Sequence, residues 1–142
     1  MIITFCGHSD FCLAAKYDLL LMSYLKSNYK DNKIEFYLGG YGAFDSFAYS
    51  CAKSFKAFSP NTILTLVVPY LKYNYPTNNY DYIVYPELES IPPKYAIFYR
   101  NRFMVDKSDL VIAYVNRSYG GAYSMLKYAK SKGKKILNLA EL

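Results

Sequence analysis

The sequence predicts an α/β fold: a Rossmann-like single domain in which a parallel sheet carries helices on both faces. Three observations point there. Strand-like and helix-like segments alternate along most of the 142 residues, with no internal repeat and no linker. Residues 62–68 and 110–115 are almost wholly apolar, the pattern of strands buried on both faces of a parallel sheet. Glycine and polar residues cluster just after the strands, where such folds bind their ligands. The length suits one domain with one core.

The elements follow in order. Residues 1–6 are an apolar, β-rich run closed by Gly7. Residues 12–29 place Leu13, Tyr17, Leu20, Leu21, Tyr24 and Leu25 at helical spacing, and Ser9 or Asp10 is the expected cap. A second strand spans 34–38 and ends at Gly39. A helix over 43–58 repeats Phe44, Phe47, Ala48, Cys51, Ala52 and Phe55 until Pro60 stops it. The strand at 62–68 leads into a polar loop over 70–82, rich in Tyr and Asn and containing Pro76. A short strand is expected at 82–85. Pro86, Pro92 and Pro93 then bracket an irregular segment with Glu87 and Glu89. The remainder reads as helix 95–107, strand 110–115, helix 121–132 and strand 135–139.

Composition narrows the classes. With 53% hydrophobic and 20% charged residues the chain is globular rather than disordered. No apolar run approaches the roughly 20 residues of a membrane helix, and MIITFCGHSD does not resemble a signal peptide, so a cytoplasmic location is expected. Cys6, Cys12 and Cys51 lack a CxxC spacing and read as reduced thiols. Cys6, His8, Asp10 and Cys12 recur at every second position, but Gly7 ends the strand that would align them, so no metal site is expected. The formal charge of +6 comes from dispersed lysines, with Lys132, Lys134 and Lys135 the only tight cluster. That reads as a solvated surface rather than a nucleic-acid stripe.

The positions after the strands are Gly7-His8-Ser9-Asp10, Gly39-Gly40-Tyr41-Gly42, Pro69-Tyr70 and 116–121. In FYLGGYGAFD the glycines permit close backbone approach, and the following helix would aim its N-terminus at an anion. Asp45 stands where the strict dinucleotide fingerprint requires glycine, and this is the second strand's loop, so a standard NAD site is not expected. Arg100 and Arg102 lie two apart on one helix and cannot share a face. One is expected to reach the crevice, where its planar fork suits phosphate, and the other to pair with Glu87, Glu89 or Asp106. NRSYGGAYS repeats the strand, glycine, helix design through Gly120, Gly121 and Ala122, with Ser118 or Ser124 able to add a hydroxyl. A tight turn without a ligand remains the alternative at both glycine loops.

FCGHSDF, GGYGAFD, the block YPELESIPPKYAIFYRNRFMVDKSDLVIAYV and YGGAYSMLKYAKSKGKKILNL occur in that order. Together they resemble the SLOG superfamily, most closely its YpsA-like branch; the superfamily includes the Lonely Guy phosphoribohydrolases, DprA and the nucleotide-sensing domain of Thoeris effectors. The resemblance covers nearly all of 1–142. It implies a Rossmann-like domain that binds nucleotides or nucleotide derivatives at the glycine loops, often as a homodimer; no cofactor is expected. By position it implies ligand contacts at Gly7, Ser9 and Asp10, at Gly39, Gly40, Gly42 and Asp45, at Arg100 and Arg102, and at Gly120, Gly121 and Ala122. Lonely Guy enzymes carry PGGxGTxxE, whose glutamate serves N-glycosidic cleavage. Here Gly120-Gly121 is followed by Ala-Tyr-Ser-Met-Leu-Lys, without a carboxylate. Glu89, Glu87 or Asp45 are the substitutes available.

Three functions therefore compete. The first is capture of a nucleotide-derived small molecule, sensed or sequestered, such as an NAD-derived or cyclic nucleotide immune signal in anti-phage defence or counter-defence. The second is a nucleotide N-glycosidase. The third and weakest is single-stranded nucleic-acid binding, because most aromatic residues fall at core spacing. The missing glutamate favours the first.

Overall fold

The computed structural model describes residues 1–72 and 74–142. Six strands form one all-parallel sheet: β1 (Ile2–Gly7), β2 (Glu35–Leu38), β3 (Ile63–Val67), β4 (Tyr82–Val84), β5 (Leu110–Tyr114) and β6 (Lys135–Asn138), in the order β4-β3-β2-β1-β5-β6. The helices are α1 (Ala14–Tyr29), α2 (Ala43–Phe58), α3 (Ala96–Lys107) and α4 (Gly121–Ser131). The expected single α/β domain is what forms. β3 and β5 are interior strands, each hydrogen-bonded on both sides.

The two-residue period of a strand assigns the layers. Ile3 and Phe5 on β1, Phe36 on β2, and Leu110 and Ile112 on β5 join one cluster with Leu21, Leu25, Phe44, Ala48 and Phe55 of α1 and α2. The alternate residues Cys6, Tyr37, Val111 and Ala113 join a second cluster with Met104 and Val105 of α3 and Met125, Leu126 and Ala129 of α4. The sheet is thus covered on both faces, which explains why β3 and β5 carry so few polar residues.

The expected cap of α1 is not made. The helix opens at Leu13 with no side-chain cap, and neither Ser9 nor Asp10 serves it. The physical reason is Phe11, which is buried against Phe44, Phe47 and Tyr114 at ring distances of 5.1, 5.1 and 5.0 Å. Driving that ring into the core folds 8–11 into a turn, closed by the Phe11 N–H donating to the His8 carbonyl. Ser9 instead serves α2, its carbonyl accepting the Ala43 N–H at 3.0 Å. The segment expected as a loop over 70–82 contains one short 3₁₀ turn, Thr77–Asn79; Tyr73 lies outside the described residues. Among the described residues no helix is long and apolar enough to cross a membrane. No group of three or more His, Cys, Asp and Glu that could hold a metal occurs among them.

Candidate functional site

The chain runs outward from β1 to β4 and then returns to pair β5 with the other edge of β1. Where the strand order reverses, the loops after β1 and β5 part and leave a crevice at the carboxyl ends of the strands. A cleft of about 310 Å³ lies there. The β1 loop contributes Gly7, His8 and Ser9, the start of α2 contributes Tyr41 and Asp45, and α3 contributes Ile97, Arg100 and Asn101. Arg117 and Gly120 from the loop after β5, Gly121, Ala122 and Met125 from α4, and Phe5 and Cys6 from β1 complete the lining.

The two glycine loops do different work. Around β2 the glycines let the chain pack on itself. A Cβ on Gly39 would lie 2.9 Å from Asp45 Oδ2, and one on Gly40 would lie 2.7 Å from Leu66 Cδ1. Gly42, at φ +90, would meet the Ser9 Cα at 2.9 Å, which is how the β1 and β2 loops come into contact. None of these three lines the cleft; their turn presents Tyr41 and Asp45 to it instead. Gly7 is likewise a packing glycine, its missing Cβ replaced by the Phe44 ring. At Gly120 and Gly121 a Cβ would meet nothing within 4 Å, so the backbone at the start of α4 is open to the cleft.

Arg100 is the buried charge of the site, 3% exposed. Its Nη1 donates to the carbonyls of Gly39 (3.0 Å) and Val67 (2.8 Å), and its Nε donates to Asn101 Oδ1 (3.0 Å). It ties the ends of β2 and β3 to α3, and burial lowers its pKa. Asp45 faces it across Gly39 and accepts the Tyr41 N–H at 2.9 Å. Burial pushes the Asp45 carboxyl up to about 6, against the opposing pull of the Tyr41 bond and of Arg100.

On the opposite wall the Arg117 guanidinium straddles Asp10, with Nη1 and Nη2 each donating at 3.2 Å, so the β5 loop is tied to the β1 loop. The hydrogen bond to Arg117 holds Asp10 below the usual carboxylate range. His8 is buried, and its Nε2 accepts the Asn116 N–H at 3.2 Å, which leaves the ring proton on Nδ1. Burial first, and Arg117 second, lower the His8 pKa, in keeping with a neutral ring.

Of the residues singled out in the sequence, the cleft thus gathers Gly7, His8, Ser9, Tyr41, Asp45, Arg100, Gly120, Gly121 and Ala122. Asp10 stands at its rim through Arg117, while Ser118 is an exposed loop residue that does not line it. Arg102 points away. Its guanidinium lies 4.5 Å from the Phe98 ring centre and 4.6 Å from that of Tyr128. The expected ion pair of an arginine with Glu87, Glu89 or Asp106 is not made among the described residues, because aromatic faces hold Arg102 and backbone carbonyls hold Arg100. Neither Glu87 nor Glu89 lines the cleft. Sequence reasoning missed Arg117 and Asn101. Arg117 had a usable signal, standing two residues past the apolar run that ends at Val115.

No family model and no curated protein matches the chain. Among solved structures it is similar to DNA processing protein A from Helicobacter pylori, described for its single-stranded DNA binding mode, with a TM-score of 0.65 at 22% identity. That match covers 96% of this chain and 63% of the other. DNA processing protein A from Streptococcus pneumoniae aligns with a TM-score of 0.68 at 17% identity, over 94% of this chain and 48% of its own. TM1055, a structural-genomics target, aligns at 0.62 and 12% identity, covering 95% of this chain and 71% of its own. The chain thus spans less than two thirds of either DNA processing protein. At these identities the likeness establishes a Rossmann-like α/β fold of the kind found in DNA processing protein A.

Proposed function

We propose that this domain binds a nucleotide-derived small molecule in the cleft between the β1 and β5 loops, as a capture or sensing module of the SLOG kind, YpsA-like in its motifs. One observation carries the reading. The only cleft glycines whose Cβ positions are empty, Gly120 and Gly121, open an α4 helix whose N-terminus faces the same cavity as Arg100 and Arg117. Exposed backbone N–H groups at a helix start, together with guanidinium groups, suit a phosphate. The cleft volume of about 310 Å³ sits at the low end of the range for small-molecule sites, roughly 300–1,000 Å³. Capture fits better than turnover because no carboxylate follows Gly120-Gly121 and Glu89 stands outside the cleft.

A second reading keeps the N-glycosidase, with Asp45 rather than Glu89 as its acid. Asp45 lines the cleft, and a carboxyl near 6 can hold or release a proton close to neutral pH. Native mass spectrometry of protein purified from cells tests capture directly: a retained, intact phosphorylated ligand is the expected result. Incubation with nucleoside monophosphates and with NAD-derived cyclic nucleotides, followed by chromatography, separates the two readings. Multiple turnovers to free base, lost in Asp45→Asn, would establish the hydrolase. Competition by a single-stranded oligonucleotide but by no mononucleotide would favour a DprA-like role.

A further inference from the structure

A second cavity of about 250 Å³ opens between α3 and α4, lined by Ile97, Phe98, Arg102, Ser124 and Tyr128 among others. It adjoins the glycine cleft: Ile97, Asn101, Gly121 and Met125 line both. Resting on the proposed nucleotide reading, we infer that this annex holds the planar heteroaromatic base of the same ligand whose phosphate occupies the cleft.

The chemistry of the two chambers is complementary. The cleft offers charge and open backbone, while the annex offers the apolar surface of Ile97 and Met125 and a planar stack of the Arg102 guanidinium on the Phe98 and Tyr128 rings, together with Lys94. Ile97 and Phe98 are 39% and 41% exposed, so the annex wall is open to solvent. A base stacked there would cover them. The Arg102 guanidinium already lies on the Phe98 and Tyr128 rings, so a base stacks on the guanidinium plane or on the ring faces it leaves open.

The shared neck carries the means of reading the base. The Asn101 Oδ1 accepts from Arg100 Nε, which fixes the side-chain amide so that Nδ2, a double donor, has no hydrogen-bond partner among the described residues. Set between the chambers, that donor suits a carbonyl oxygen or unprotonated ring nitrogen on a base. Gly121 has no Cβ at the same neck, and a Cβ there would meet nothing within 4 Å, which leaves the passage open for a sugar.

Calorimetry with ribose 5-phosphate and with AMP, GMP, CMP and UMP tests the inference. Stacking on aromatic walls is worth roughly 1–3 kcal/mol per base, so the best nucleotide should bind about fivefold or more tighter than ribose 5-phosphate. Ser124→Trp, which plugs the annex, should cut that ratio to about twofold or less, and Phe98→Ala should lower it as well. If the tryptophan variant does not fold, by its thermal midpoint, the alanine variant decides alone. A wild-type ratio near one, or a ratio that survives in the folded variants, overturns the base annex and leaves the anion cleft standing. Failure of all five probes, and of NAD-derived cyclic nucleotides, to bind the wild type at millimolar concentration overturns the nucleotide reading itself, and the annex with it.

Discussion

Replacing Asp45 by Asn removes a carboxylate that the fold holds at a cost. The folded carboxyl titrates at about 6 instead of 3.8, and burial is the leading cause. A group whose folded pKa is raised binds protons more tightly in the native state than in the unfolded chain. Stability therefore falls as pH rises from about 4 to about 6, and the full cost persists above that window. At about 1.4 kcal/mol per pH unit the displacement corresponds to a ceiling of about 3 kcal/mol. Arg100 across Gly39 and the Tyr41 N–H both favour the ionised form, and the value of about 6 is what remains after their pull, while the Asn amide brings an NH2 group that needs its own acceptor. Asn keeps an acceptor for Tyr41. We expect Asp45→Asn to gain about 1–2 kcal/mol at pH 7.5, or about 3–6 °C in Tm at this chain length. The assay is Tm by calorimetry from pH 4.5 to 7.5 for both proteins. The pH-dependent part of the gain should fall to about a third of its pH 7.5 value at pH 4.5, and the difference between the proteins cancels other groups such as His8, whose lowered pKa works in the opposite direction. A loss of stability at pH 7.5, or a gain that does not depend on pH, would refute the reasoning.

Arg100→Ala should act first on folding, because it strands the Gly39 and Val67 carbonyls; we expect a loss of about 2–4 kcal/mol in urea unfolding, so it is no clean probe of binding. Gly40→Ala forces a side chain onto φ +69 with its Cβ 2.7 Å from Leu66 Cδ1, and should destabilise by about 1–2 kcal/mol. Gly121→Leu meets empty space and should leave the Tm nearly unchanged while abolishing nucleotide binding in calorimetry. Asp10→Asn frees Arg117 from its bidentate partner and should tighten binding of a phosphorylated ligand several-fold, most at low salt; weakened binding would instead make Asp10 a direct ligand contact.

The sequence by itself determined the fold class and most of the element order, because apolar runs of two periods, 3.6 and 2, are local signals. Phe44 to Phe55 read as a buried helix stripe and Leu110 to Val115 as a doubly buried strand, and both form so. It also located the loops that meet at the cleft, since ligand-side loops follow strands. What only the tertiary structure decided was the work of each residue in those loops. Gly39, Gly40 and Gly42 have the spacing of a phosphate loop, yet their missing side chains are filled by Asp45, Leu66 and Ser9. Gly120 and Gly121 have no such signature beyond being paired, yet they are the open ones. Arg100 and Arg102 parted as helical geometry requires, but which one faced the cleft depended on α3 packing across β2 and β3, where Gly39 and Val67 leave carbonyls to be satisfied. Whether a glycine faces a ligand or a neighbour is set by atoms far away in sequence, and no local pattern carries that information.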